Sequence, residues 1–384
     1  MKPTLYAGAF LLVTVLASCG DMPKDDNTGQ QTDSVKVDTS RTGKVSARLE
    51  KVFSDKKYQL TGVAIAKDGR LFTNYPYWMD KHLYSVVEIN KDGSTKPYPD
   101  TAWNTFKKGE DGQNKFVCAQ AVVTDDQGYL WVVDPAGIAL GNVYKNAAKV
   151  VKISLATNKV EHIYRFPADV IANTNYINDI RIDNKTGFAY MTISSDGGII
   201  IFDIKTGKSR KVLSKDPSTH SDVNYTMNIN GKPFLANGKP AHFNSDGIAL
   251  SPDGSWLYYK SITDRKLYRV PTLLLRDFST SEDVIAEKVE RLGDFVATDG
   301  MEMDKFGNLY LGDLETGSIV KITPDLKSEV LIKDPETLRW PDSYSISEDG
   351  YLYISCSQIP WMSLVNNGKN LTTQPYEIYR LKIF

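Results

Sequence analysis

Ala297-Thr298-Asp299-Gly300-Met301-Glu302-Met303-Asp304-Lys305-Phe306-Gly307-Asn308-Leu309-Tyr310-Leu311-Gly312-Asp313 reads as a short strand, a tight turn and a return strand. Met301 and Met303 alternate with Gly300, Glu302 and Asp304, the period of an extended chain. Gly307 falls where a hairpin turn needs a residue that tolerates positive φ, and Leu309-Tyr310-Leu311 begins the return.

The same pattern recurs along the chain. Aligned on the turn glycine, copies occupy residues 61–72 (Gly69), 120–131 (Gly128), 178–190 (Gly187, with one extra turn residue), 246–258 (Gly254), 299–311 (Gly307) and 342–353 (Gly350). After most copies come two more strand-like runs, such as 318–323 then 328–333, or 198–203 then 209–213. Four short strands repeated at roughly 40–70 residues match a propeller blade. The expected fold is all-β, a six-bladed β-propeller with low helical content. After the sixth copy only one strand remains, residues 376–383. Residues 45–53 resemble the outer-strand run 288–292, so the N-terminal strand is expected to close the last blade and leave no open edge.

Three long connections interrupt the spacing: residues 75–115, with Tyr77, Trp78, Tyr98 and Trp103; residues 214–244, with two Gly-Lys-Pro turns; and residues 356–374, with Trp361. Long loops on a closed scaffold commonly bind ligands, and their aromatic rings either line a pocket or pack the loop onto the blades.

Composition narrows the function. The chain has 384 residues and a net charge of −1, with acids and bases interspersed, which argues against a nucleic-acid partner. Lys2, the apolar run 5–17 and Leu16-Ala17-Ser18-Cys19 read as a signal peptide over residues 1–18. The Leu-Ala-Ser-Cys ending resembles the bacterial lipobox, which implies cleavage before Cys19 and its lipidation. Residues 21–26, Asp-Met-Pro-Lys-Asp-Asp, resemble surface-export signals of some Bacteroidetes lipoproteins. Residues 19–43 are polar and are expected to form a disordered tether, with the propeller domain spanning 44–384. The expected location is the bacterial cell envelope, with a lipid anchor as the only membrane contact, and the expected state is a monomer. Cys118 and Cys356 fall in non-adjacent blades and are expected as buried thiols rather than a disulfide.

The first residue of each copy precedes the innermost strand and is expected at the mouth of the central channel. These residues are Thr61, Gln120, Asn178, Asp246, Asp299 and Asp342, all polar and three acidic. Converging acids need a cation, bridging protons or a polar ligand. One reading is a small-molecule or metal site, with oxygen ligands that suit Ca²⁺ or Mg²⁺. The other is that these side chains cap backbone amides and hold channel water. The Asp-Gly turns at Asp68, Asp253 and Asp349 are expected as hairpin turns, and His242 as a loop residue. There is no Gly-x-Ser-x-Gly elbow, phosphate loop or dinucleotide fingerprint.

Several pieces in order resemble the yellow/major royal jelly protein family in its bacterial branch. They include Pro97-Tyr98-Pro99-Asp100, residues 116–123, Tyr176-Ile177-Asn178-Asp179-Ile180-Arg181, Ser245-Asp246-Gly247-Ile248-Ala249-Leu250, Leu267-Tyr268-Arg269-Val270-Pro271 and Trp340-Pro341-Asp342. The resemblance covers nearly all of residues 50–384 and implies a secreted six-bladed propeller with a small-molecule site at the channel. Members are linked to dopachrome conversion and to binding biogenic amines, so a dopachrome-type isomerase is one expectation. A more distant resemblance, to gluconolactonase/regucalcin propellers, implies a divalent-metal lactonase. Asn178, Asp246 and Asp299 resemble metal or substrate positions of that group, but Thr61 stands where it has a glutamate ligand. A non-catalytic recognition scaffold is the third reading.

Overall fold

The computed structural model describes residues 49–79 and 82–384. The signal peptide, Cys19, the tether and the first residues of the expected closing strand lie outside the described residues.

Six four-stranded antiparallel sheets form the body. Blade 5 contains the decisive stretch: Met301–Met303 and Leu309–Asp313, followed by Ser318–Ile322 and Ser328–Lys333. Met301 pairs with Leu311 and Met303 with Leu309 across a turn in which Gly307 has φ +85°. The same glycine stands at φ +84° at Gly69, +85° at Gly128, +74° at Gly254 and +79° at Gly350, the region an L side chain avoids. The turn aspartates accept backbone N–H groups two to four residues ahead, as Asp304 does from Phe306 and Asn308. The Asp-Gly turns are therefore hairpin turns.

The first strands of successive blades are neighbours around the ring: Val63–Ile65, Ala121–Thr124, Ile177–Asp183, Ser245–Leu250, Met301–Met303 and Pro341–Ile346, the last packing against the first. Blade 6 runs Pro341–Ile346, Tyr351–Cys356, Tyr376–Lys382 and then Leu49–Asp55, so a strand from the start of the chain is its outer edge. Leu49 faces Leu381 and Phe53 faces Ile378, with a bulge between Lys51 and Phe53.

The core lies between blades, where apolar faces stack. Trp131, Val150, Ile180, Met191 and Phe202 fill one such layer. Cys118 and Cys356 are free, buried thiols in separate clusters.

The long connections form a cap. In 214–244 the chain makes two small hairpins, Asn228–Ile229 with Lys232–Pro233 and Leu235–Ala236 with Lys239–Pro240. Their turns are Asn230-Gly231 and Asn237-Gly238, each with both residues at positive φ, the two-residue turn that matches strand twist. Met227, Phe234 and Ala241 of this segment pack with Trp78 and with Ile359, Met362 and Val365 of the last connection. Asn237 ties the two together, its N–H to the Val365 carbonyl at 3.0 Å and its Nδ2 to the Leu364 carbonyl at 3.1 Å. Other loop aromatics pack the blades: Tyr98 lies 4.8 Å from Phe72 and Trp103 5.2 Å from Phe116 between ring centres.

Candidate functional site

Glycines decide how closely the mouth residues approach. A β-carbon on Gly247 would stand 2.7 Å from the Asp299 carbonyl oxygen, and one on Gly300 would stand 2.5 Å from that of Asp342. The Gly300 N–H donates to the same Asp342 carbonyl at 2.8 Å. Only glycine permits this contact, and it draws Asp246, Asp299 and Asp342 from three blades towards one point. The first strands of blades 3, 4 and 6 carry a register break after their opening residue, which re-aims Asn178, Asp246 and Asp342.

Above these residues, under the cap, is a cavity of about 120 Å³. Gln120, Asn178, Asp246 and Asp299 line it with Trp78, Tyr176, Phe243, Trp340, Ile359 and Met362. Thr61 does not: its buried hydroxyl donates to the Gln120 carbonyl at 2.9 Å and joins blades 1 and 2. Asp342 lies behind the lining, buried, with its carboxyl beside the Ser357 hydroxyl. His242 is exposed on its loop.

The carboxyls of Asp246 and Asp299 lie within hydrogen-bonding reach of each other. Asn178 Nδ2 donates to Asp246 Oδ2, and Trp340 Nε1 donates to Asp299 Oδ2 at 2.5 Å. Burial, then the charges of Asp299, Asp342 and Asp179, push Asp246 well above the ordinary carboxylate range. Burial raises Asp299 to about 7, opposed by the donations from Trp340 and Asp246 and reinforced by Asp179. Burial, followed by Asp299, raises Asp342. At neutral pH such a pair shares a proton, because two buried carboxylates in contact do not both ionise. Lys260 is buried nearby; burial pulls it down to about 8 against the influence of Asp264, Asp246 and Asp299, and it donates to the carbonyls of Ser261 and Asp264 at 2.7 Å. Arg181 closes the channel below, paired with Asp179 at 2.9 Å and donating to the Met301 carbonyl at 2.6 Å.

Trp78, one of the loop aromatics expected either to line a pocket or to pack its loop, lines the cavity; sequence reasoning missed Tyr176, Trp340, Lys260 and the Asp179–Arg181 pair as parts of the site. One carried a signal: Tyr176 stands two residues before Asn178, so extended backbone turns them to the same side. Trp340, two residues before Asp342, has φ +61°, a strained value for a bulky residue that breaks such alternation, so only the tertiary structure places it.

As a cation site the donor set is poor. One oxygen of each carboxylate already takes an N–H, and Asn178 meets Asp246 through its nitrogen. Ca²⁺ takes six to eight oxygen ligands. Among the described residues no group of three or more His, Cys, Asp or Glu side chains is arranged to hold a metal ion.

Residues 117–383 match the family model described as major royal jelly protein. Protein yellow of Drosophila guanche is 29% identical over 247 residues, 60% of this chain and 41% of that protein. Protein yellow of Drosophila melanogaster is 28% identical over the same length, 43% of that protein. The chain thus spans about two fifths of the length of the curated relatives it matches. Among solved structures, a gluconolactonase from Xanthomonas campestris superposes with a TM-score of 0.53 at 12% identity, covering 87% of this chain and 89% of that one. A luciferin-regenerating enzyme superposes at 0.53 and 13% identity, covering 88% and 95%. At such identity the likeness is one of fold.

Proposed function

The chain belongs to the major royal jelly protein family, and on that premise we propose that it is a lipid-anchored, envelope-facing, yellow-like propeller that binds a small aromatic molecule under its cap and isomerises it by moving a proton. One observation carries the reading: the carboxyls of Asp246 and Asp299, from adjacent blades, meet on the floor of an aromatic-lined cavity, where burial favours their protonated forms. The ionised member takes a proton from a carbon acidified by a conjugated carbonyl. The protonated member returns one to the carbonyl oxygen. Atoms and charge balance without an oxidant, and the pair ends singly protonated as it began. Dopachrome-type isomerisation is a reaction of this class. The lactone-hydrolase reading shares only the fold and calls for a cation that this donor set suits badly.

The test is absorbance decay of freshly made dopachrome with the wild type and with Asp299→Asn. The variant is expected to lose at least about 10²-fold, the usual worth of a positioned acid or base. Equal rates would remove the catalytic claim. No thermal shift with any aromatic amine or catechol-derived quinone would remove the binding claim.

A further inference from the structure

The carboxyl pair sits inside a hydrogen-bond chain that starts at an indole on each side. Trp340 donates to Asp299 directly. On the other side Trp78 Nε1 donates to the Tyr176 hydroxyl at 2.7 Å, and that hydroxyl donates to Gln120 Oε1 at 3.0 Å. Gln120 Nε2 then donates to Asn178 Oδ1 at 3.3 Å, and Asn178 Nδ2 donates to Asp246 Oδ2. An indole N–H donates and cannot accept, so Tyr176 must accept from Trp78. Burial raises this phenol well above its usual range and keeps it protonated. Its one proton has two acceptors in reach, the Gln120 amide oxygen at 3.0 Å and the Cys118 sulfur at 3.9 Å. The amide oxygen is much the stronger acceptor. That choice turns the Gln120 amide, which in turn orients Asn178. In the reverse direction, Asn178 would show its oxygen to Asp246, which could then only donate.

We propose that Trp78 and Tyr176 are positioning residues that set the direction of both amides, so that Gln120 turns its second N–H into the cavity and selects ligands bearing a carbonyl oxygen. Asn178 uses its two N–H groups on Asp246 and on Ser194 Oγ at 3.3 Å, whereas Gln120 spends only one, on Asn178. The carbonyl-selecting half rests on the ligand-binding function proposed above; the amide-directing half does not.

The two halves are measured separately on the full chain. In ligand-free protein, side-chain amide exchange of Gln120 and Asn178 is followed by NMR in the wild type, Tyr176→Phe and Trp78→Phe. Tyr176→Phe keeps the ring and loses only the hydroxyl, whereas Trp78→Phe removes the N–H together with part of the indole. Tyr259→Phe removes the hydroxyl of a buried blade 4 phenol that bonds Ser218, and serves as the control for general loosening. Exchange on the order of tenfold faster in the first two variants but not in the control is expected; unchanged exchange in both overturns the positioning role. With 2-aminoacetophenone and phenethylamine as probes, the wild type is expected to prefer the ketone, and Tyr176→Phe to lose that preference. A preference retained in Tyr176→Phe overturns the selecting role. Altered exchange with neither probe bound keeps the relay and discards the binding function.

Discussion

Gly300 lies so close to Asp342 that a β-carbon on it would stand 2.5 Å from the Asp342 carbonyl oxygen. The contact is backbone on one side and cannot be relieved by turning a side chain. Gly300→Ala is therefore expected to push blades 5 and 6 apart, at a cost of about 1–3 kcal/mol. Gly69→Ala, where φ is +84° but nothing lies within 4 Å, costs only backbone strain. Both lower Tm, but only Gly300→Ala should also weaken ligand binding under the cap; binding equally affected in the two would break the link between this glycine and the site.

The raised Asp299 carboxyl makes stability depend on pH. Its folded value of about 7 exceeds its unfolded value, so the folded state holds the proton more tightly. The contribution is complete below the unfolded value near 4 and is lost as pH climbs through about 7. Asp246 and Asp342, both raised, act in the same direction. Tm of the wild type should fall relative to that of Asp299→Asn between roughly pH 5 and 8. Parallel curves for the two proteins would contradict it.

The outer strand Leu49–Asp55 closes blade 6 along Tyr376–Lys382. Removing residues 49–55 exposes that strand as an open edge and uncovers Ile378 and Leu381, both fully buried. Loss of cooperative unfolding by circular dichroism is expected, whereas removing residues 20–43 leaves Tm unchanged. A truncated ring that melts like the intact one would show that the strand is dispensable.

Cation dependence follows from the donor set. With an N–H already on one oxygen of each carboxylate, Asp246 and Asp299 have little more than their second oxygens to offer Ca²⁺ or Mg²⁺, short of the six or more such ions take. Calorimetric titration is expected to find no saturable binding, and chelator to leave Tm and ligand affinity unchanged. Saturable Ca²⁺ binding that disappears in Asp299→Ala would reinstate the metal site.

The proposed lipid anchor rests on Cys19. Cys19→Ala is expected to abolish incorporation of labelled palmitate and to move the protein from the membrane fraction to the soluble envelope fraction. Unaltered labelling would refute the lipid anchor.

Repetition made the blades legible. Gly69, Gly128, Gly254, Gly307 and Gly350 answer a local demand for positive φ, and alternation in the flanking strands depends on neighbours only two residues away. The polar residue opening each copy could be placed at the mouth by register alone, and four of the six line the cavity. Thr61 and Asp342 do not, because the first turns to the Gln120 carbonyl of the next blade and the second is buried beside Ser357 of its own blade. The two Gly-Lys-Pro turns read from the sequence are the hairpins of the cap, turning at Asn230-Gly231 and Asn237-Gly238, a local cue whose purpose is not local.

By itself the sequence determined the repeat, the turn chemistry, the closure of blade 6 and the ring of polar residues at the channel, since each follows from short-range periodicity or from counting strands. Only the tertiary structure decided which of those residues meet. The carboxyls of Asp246 and Asp299 come together because Gly247 lets one blade's backbone reach the next, and Trp78 reaches Tyr176 because a long loop folds back over the mouth. Hydrogen bonds and shared protons depend on distances of about 3 Å between residues far apart in the chain, and no local pattern encodes those.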